Sequence, residues 1–277
     1  MPDDIKKILA VHDLSCFGRC ALMVVIPALS AMGMQVVPLP TALLSTHTGG
    51  FTDMTFYDLS HTMSPALDHY AAMNMRFESI FTGFLGSAGQ IDTVLSAIDR
   101  FGDGALVLVD PVMGDDGRVY QTYTPDLCAR MGELCARASV ITPNLTEACI
   151  LCGRNYPQTI ENPAACADEL VGALSELYPS AAIALTGIEA DGQLFTAAYA
   201  DGSLRLISQP KLACSYPGTG DLFASVLLGQ LLNGEEFHSA VEFSCRTVAD
   251  FIADTAKYDT PSRDGLRLEP NLYRLIK

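Results

Sequence analysis

The sequence predicts one three-layer α/β/α domain: a central, mostly parallel β-sheet, helices on both faces and a small flap. Three observations carry this. Short apolar runs alternate with segments of helical spacing along most of the chain, the pattern of a parallel sheet built from strand–helix units. Those runs repeatedly end in a polar residue or glycine, at Asp13, Gly83, Asp110, Thr142 and Thr186, and in such sheets ligands lie beyond the carboxyl ends of the strands. The 277 residues are 49% hydrophobic, enough for a large core, with no linker, internal repeat or low-complexity tract to divide them.

The elements follow in order. KKILAVHD (6–13) reads as a first buried strand. Arg19 to Met32 is apolar and free of glycine, a helix in which Pro27 marks a kink or a break. MQVVPLP (34–40) is a second strand, and the polar, glycine-containing stretch 41–56 is the flap. ESIFTGF (78–84) and GALVLVD (104–110) are further buried strands. Between them SAGQIDTVLSAIDRFG (87–102) has helical spacing and a glycine stop. Pro125 to Ala138 is helical, SVIT (139–142) a strand, and Asn144 opens another helix. AAIALTG (181–187) is a strand. QLFTAAYA and SLRLISQ, joined by Asp201-Gly202, form a hairpin. Two helices follow, from about Gly220 and about Glu236.

Charge narrows the function classes. Thirty-two acidic against 17 basic residues give a net charge of −15, which opposes non-specific binding to nucleic acid or to an anionic membrane. An anionic substrate would need local backbone amides or a bound cation. MPDDIKKILAVHD is charged and its apolar run is short, so no signal peptide is expected. No stretch reaches the apolar length of a membrane span, and a cytoplasmic location is expected. The nine cysteines read as reduced, mostly buried thiols. Cys149 and Cys152 have C-x-x-C spacing but no matching second pair, and read as packing residues.

Three segments carry chemistry. In SYPGTGDLFAS (215–225), Gly218 and Gly220 permit conformations that expose backbone N–H groups at a helix start. That makes an anion hole with Asp221 beside it; an acidic residue in the first turn is equally a favourable helix start. In VLVDPVMGDDGRVY (107–120) a strand delivers Asp110 to the rim, followed by a turn with Asp115 and Asp116. In ITPNLTEA (141–148), Asn144 and Glu147 lie three apart, either a capping box or two ligands facing one rim. Carboxylates around a phosphate-sized amide nest suit hydrated Mg2+. His47, in THTGGF, is either a solvated loop histidine or a pocket residue. His12 belongs to strand packing or the rim; His61, His69 and His238 show no ligand spacing. The Walker G-x-x-x-x-G-K-[ST], G-x-S-x-G and HExxH patterns do not occur.

DPVMGD (110–115), TPNLTE (142–147) and GTGD (218–221) have the order and spacing of, and resemble, the ribokinase-like superfamily. ILAVHDLSCFGRC, STHTGGF (45–51), FTGFLGSAGQ (81–90) and ILCG (150–153) resemble its pyridoxal/pyridoxamine (vitamin B6) kinase branch. The resemblance covers nearly the whole chain. It implies ATP- and Mg2+-dependent phosphorylation of the 5′-hydroxymethyl group of a B6 vitamer, a homodimer, and a monovalent cation such as K+. By resemblance Asp221 is the general base. The amides of Gly218, Thr219 and Gly220 stabilise the transferring phosphoryl group. Asp110, Asn144 and Glu147 orient Mg2+ and its waters. Asp115, Thr142, Thr186 and Gly187 lie along the nucleotide, and Asp13, His47, Thr48 and Phe84 line the vitamin pocket. The dipole of the helix is expected to lower the pKa of Asp221.

Two positions depart from that pattern. Asp13 stands where the branch has serine, and a carboxylate there favours a cationic vitamer such as pyridoxamine. Phe84 stands where tyrosine is frequent. A hydroxymethylpyrimidine or sugar kinase of the same fold is the nearest alternative. A vitamin-binding regulatory protein without turnover is the alternative of another class.

Overall fold

The structure, a computed structural model, describes residues 5–276. Its main sheet has eight strands. Six are parallel: β1 (Lys7–Val11), β3 (Gln35–Pro38), β6 (Ser79–Thr82), β7 (Leu106–Val109), β10 (Val140–Ile141) and β11 (Ala182–Ala190). Two more, β12 (Gln193–Ala200) and β13 (Ser203–Pro210), add antiparallel to β11, giving the spatial order β13-β12-β11-β10-β7-β6-β1-β3. Asp201 and Gly202, both at positive φ, make the tight turn between β12 and β13, as their identity predicts.

Both faces of the sheet are buried, so the parallel strands are apolar throughout rather than alternating. Leu9, Val11, Val107 and Val109 point to one side, into a core with α2 (Ser60–Ala72), α3 (Gly89–Phe101), α4 (Pro125–Cys135), α5 (Leu145–Leu151) and α6 (Pro163–Leu177). Ile8, Ala10, Leu108 and Val140 point to the other, against α1 (Leu22–Ala31), α7 (Thr219–Leu232) and α8 (Phe237–Thr255). The three layers expected from the alternation are present.

Several expectations need correction. Helix α1 is unbroken at Pro27. The hydrogen bond lost there would have gone to the carbonyl of Met23, a residue on the exposed side of the helix. The stretch 41–56 is not simply a loop. It contains β4 (Ala42–Thr46), which pairs parallel with β2 (Leu14–Phe17) and antiparallel with β5 (Phe56–Asp58), so the flap is a small second sheet. The elements β2, β5, α2 and α6, and the two-residue strands β8 (Gly114–Asp115) and β9 (Arg118–Val119), are not among those expected from the sequence. For α6 a signal existed: Asn162 caps it and Pro163 sits at its first position. All nine cysteines are free, but only Cys135, Cys149 and Cys245 are buried, and Cys16 is exposed.

Candidate active site

The strand register brings the rim together. Val140 pairs with Leu108 and Ile141 with Val109, so the next residues, Thr142 and Asp110, are neighbours. The Thr142 hydroxyl donates to Asp110 Oδ1 at 3.0 Å. One strand further, Asn144 bridges to Thr186, whose N–H donates to the Pro143 carbonyl. Gly187, at φ 80°, lies at the irregularity that β11 makes against β12. Asp13 follows β1 and accepts from the Ser15 hydroxyl at 2.8 Å.

The start of α5 is a closed unit. Asn144 Oδ1 accepts from the Glu147 N–H, and Glu147 Oε2 accepts from the Asn144 N–H: the capping box exists. Glu147 Oε1 accepts from the Met113 N–H, and Asn144 Nδ2 donates to the Gly114 carbonyl, tying the box to the β8–β9 hairpin. Asp115, on that hairpin, is exposed.

The start of α7 is open. Gly218 is its N-cap in a left-handed conformation, with no side-chain cap. A Cβ there would lie 2.1 Å from the Arg19 carbonyl oxygen, so only glycine fits. The N–H groups of Thr219, Gly220 and Asp221 find no acceptor among the described residues. Asp221 Oδ2 accepts from the Ala21 N–H and the Cys20 thiol.

Among the described residues, carboxylates converge here without a basic partner in hydrogen-bond contact. Burial, and secondarily the charge of Asp221, push Asp110 up to about 7; burial, with Asp221 a smaller contributor, does the same to Asp13. Burial and Asp110 push Glu147 well above the usual range. Burial also raises Asp221, outweighing the Ala21 and Cys20 hydrogen bonds, so the lowering expected from the helix start does not prevail. Such a cluster is suited to a cation. Among the described residues no three His, Cys, Asp or Glu side chains gather to coordinate a metal directly. Glu147 and Asn144 already commit their side-chain atoms to the capping box and the hairpin, and Asp110 accepts from Thr142, so together they fit a metal held through its waters rather than ligated directly.

Of the two readings left open for His47, burial excludes the solvated one. Its Nδ1 accepts from the Gly49 N–H, so Nε2 carries the proton shared with the Arg263 carbonyl at 2.7 Å. Both ring nitrogens are therefore committed to the protein, and only the ring's edges and faces remain for a ligand. His47 packs edge-on against Phe51, over which the Arg263 guanidinium lies. Thr48 is exposed on the same loop. Phe84 packs edge-on against Tyr123 and holds Thr41 through its carbonyl. His12 is buried against Phe81 and Gly83, and desolvation lowers it to about 3, so it is a neutral packing residue. Cys20, Ala21 and Tyr120 were not expected at the site. Tyr120 lies within the field of Asp115, Glu147, Cys20 and Asp110. Nothing local in the sequence marks Ala21, because its role depends on a segment 200 residues away.

Comparison with known proteins agrees with this geometry. The profile of the phosphomethylpyrimidine kinase family matches residues 23–263. A pyridoxine/pyridoxal/pyridoxamine kinase of Bordetella avium is 28% identical over 279 residues, covering 93% of this chain and 90% of the relative. A Bacteroides thetaiotaomicron protein put forward as a phosphomethylpyrimidine kinase, crystallised with pyridoxal, is 36% identical with a TM-score of 0.92, covering 98% of this chain and 96% of that one. Pyridoxal kinase from Lactobacillus plantarum is 29% identical with a TM-score of 0.89, covering 98% and 97%. The chain belongs to the phosphomethylpyrimidine kinase family, on the ribokinase-like fold and in its pyridoxal kinase branch.

Proposed function

We propose that the protein transfers the γ-phosphoryl group of ATP to the 5′-hydroxymethyl group of a vitamin B6 vitamer. The observation that carries this is the uncapped start of α7, with Asp221 beside it, facing a rim of buried carboxylates. Phosphoryl transfer has a loose transition state, so positioning and charge stabilisation dominate. The Thr219, Gly220 and Asp221 amides, turned outward by Gly218, would stabilise charge on the transferring group. Asp221 would accept the hydroxyl proton. Asp110, Asn144 and Glu147 would hold hydrated Mg2+, which when bound neutralises phosphate charge that this acidic rim would otherwise repel. Thr142, Asp115, Thr186 and Gly187 would flank the nucleotide. Asp13, the His47 ring edge, Thr48 and Phe84 would surround the vitamin.

A second reading has its own support: the matching family profile is that of phosphomethylpyrimidine kinases, and a hydroxymethylpyrimidine offers the same kind of hydroxyl. The pyridoxal found with the 36% identical structure favours the B6 reading. An inactive binding protein has no chemical need for an uncapped α7, its carboxylate and the Thr142–Asp110 contact together. A coupled ADP-release assay with pyridoxal, pyridoxamine, pyridoxine, hydroxymethylpyrimidine and ribose decides among these. We expect turnover with the B6 vitamers; turnover confined to the pyrimidine or the sugar overturns the proposal.

The finer expectations are part of the same proposal: a cytoplasmic homodimer, activated by a monovalent cation such as K+. Phe17 and Phe56, whose strand partners Thr46 and Leu44 lie two apart on β4, expose apolar surface on one face of the small sheet, suited to a second copy. Sedimentation of the protein and a potassium titration of its activity test the last two points.

A further inference from the structure

The starts of α7 and α1 meet at one carboxylate. Asp221 Oδ2 accepts two hydrogen bonds, from the Ala21 N–H at 2.8 Å and from the Cys20 thiol at 3.4 Å. Oδ1 has no donor among the described residues. Ala21 reaches this bond at φ 49° and ψ −130°, a backbone conformation that costs a residue with a side chain. The surroundings enforce that turn. Gly218 and Gly265 leave room for the Arg19 carbonyl, which a Cβ at either would meet at 2.1 or 2.8 Å, and the Arg19 N–H is held by the Asp264 carbonyl.

We propose that the Cys20–Ala21 turn is a positioning device for Asp221: it occupies Oδ2, leaves Oδ1 to receive the acceptor proton, and uses the thiol to hold the carboxylate in its ionised form. The inference rests on the reading of Asp221 as general base. The acceptor O–H proton passes to Oδ1 as its oxygen bonds to the γ-phosphorus. The bond from phosphorus to the bridging oxygen breaks, and that oxygen leaves with its electron pair on ADP. The thiol does not exchange its proton in this step. Burial and the Asp221 and Asp13 carboxylates push Cys20 well up, so it remains a donor. The charged groups facing Asp221 are Asp13 from the end of β1, Asp110 from the end of β7, and His47 from the flap sheet. The two acids oppose ionisation of Asp221, and the neighbouring His47 ring favours it. Cys20 and Ala21 are the direct hydrogen-bond donors against that opposition.

The test is the pH profile of kcat/KM for wild type, Cys20→Ala and Cys20→Ser, with thermal unfolding of each as a check on folding. Cys20→Ala should move the acidic limb upward by about 0.5–1 pH unit, the scale of one weak donor to a charged acceptor. Cys20→Ser keeps a donor and should hold the limb at or below its wild-type position, with KM for ATP unchanged in both. An acidic limb that does not move in Cys20→Ala, or that moves equally in both variants, overturns the proposal. Full turnover in Asp221→Ala would instead overturn the general-base reading beneath it.

Discussion

Two helix starts in this molecule have nearly the same ingredients and opposite fates. At α5, Asn144 and Glu147 satisfy one another's backbone groups, and the Met113 N–H and Gly114 carbonyl complete the set. At α7, Gly218 offers no side chain, the amides of residues 219–221 find no acceptor among the described residues, and the acid turns sideways to another segment. A satisfied helix start is a structural joint, whereas an unsatisfied one is a place for an anion. The acids of both belong to one buried field, yet only that at α7 stands beside open amides.

Mutations break this contrast most strongly at α7. Asp221→Ala should lower kcat by roughly two to four orders of magnitude, the scale of a lost general base, read in single-turnover assays. Gly218→Ala should lower kcat/KM by about a hundredfold, because the added carbon meets the Arg19 carbonyl and turns the amides away. Retained activity there would show that the amide nest is not the phosphoryl site.

At the acceptor end the contrast is sharpened by Asp13. Asp13→Ser should shift the pyridoxamine-to-pyridoxal ratio of kcat/KM by about tenfold towards pyridoxal, the scale of one hydrogen bond to a charged group. An unchanged ratio removes Asp13 from vitamer choice. The same carboxylate has a stability signature. Its folded pKa, about 7, lies above its ordinary value, so the native state loses stability as pH rises through that window, and the penalty is absent below about pH 4. Asp13→Asn should therefore raise the Tm of the ligand-free protein by about 3–8 °C at pH 8 and leave it unchanged at pH 4. The smallest effect on stability belongs to the closed helix start: Asn144→Ala should cost about 1 kcal/mol, or about 2–4 °C in Tm, through the lost cap.

How far the chain could be read depended on range. The parallel strands were legible because both faces are buried, leaving unbroken apolar runs in 78–84 and 104–110. The β12–β13 hairpin was legible from Asp201-Gly202. β10 was legible but shorter than expected, two residues against four, since little of it pairs before the chain turns into α5. The flap sheet was not legible, because β2, β4 and β5 are short strands stabilised by one another. Asp221, Asp110, Asn144 and Glu147 stood out as chemistry-bearing types at helix starts and strand ends. His47 stood out too, but its burial and its bond to the Arg263 carbonyl depend on a segment more than 200 residues away.

The sequence by itself determined the layered fold, the order of the strands along the chain and the acidic rim, because those follow from local periodicity and from residue type at strand ends. Only the tertiary structure decided which helix start is closed and which is open. Asn144 and Gly218 both precede an acid within three residues, and capping from the neighbour or from across the molecule is settled by packing. It also decided that Asp221 is raised rather than lowered, since burial among other carboxylates outweighs the donors of Cys20 and Ala21.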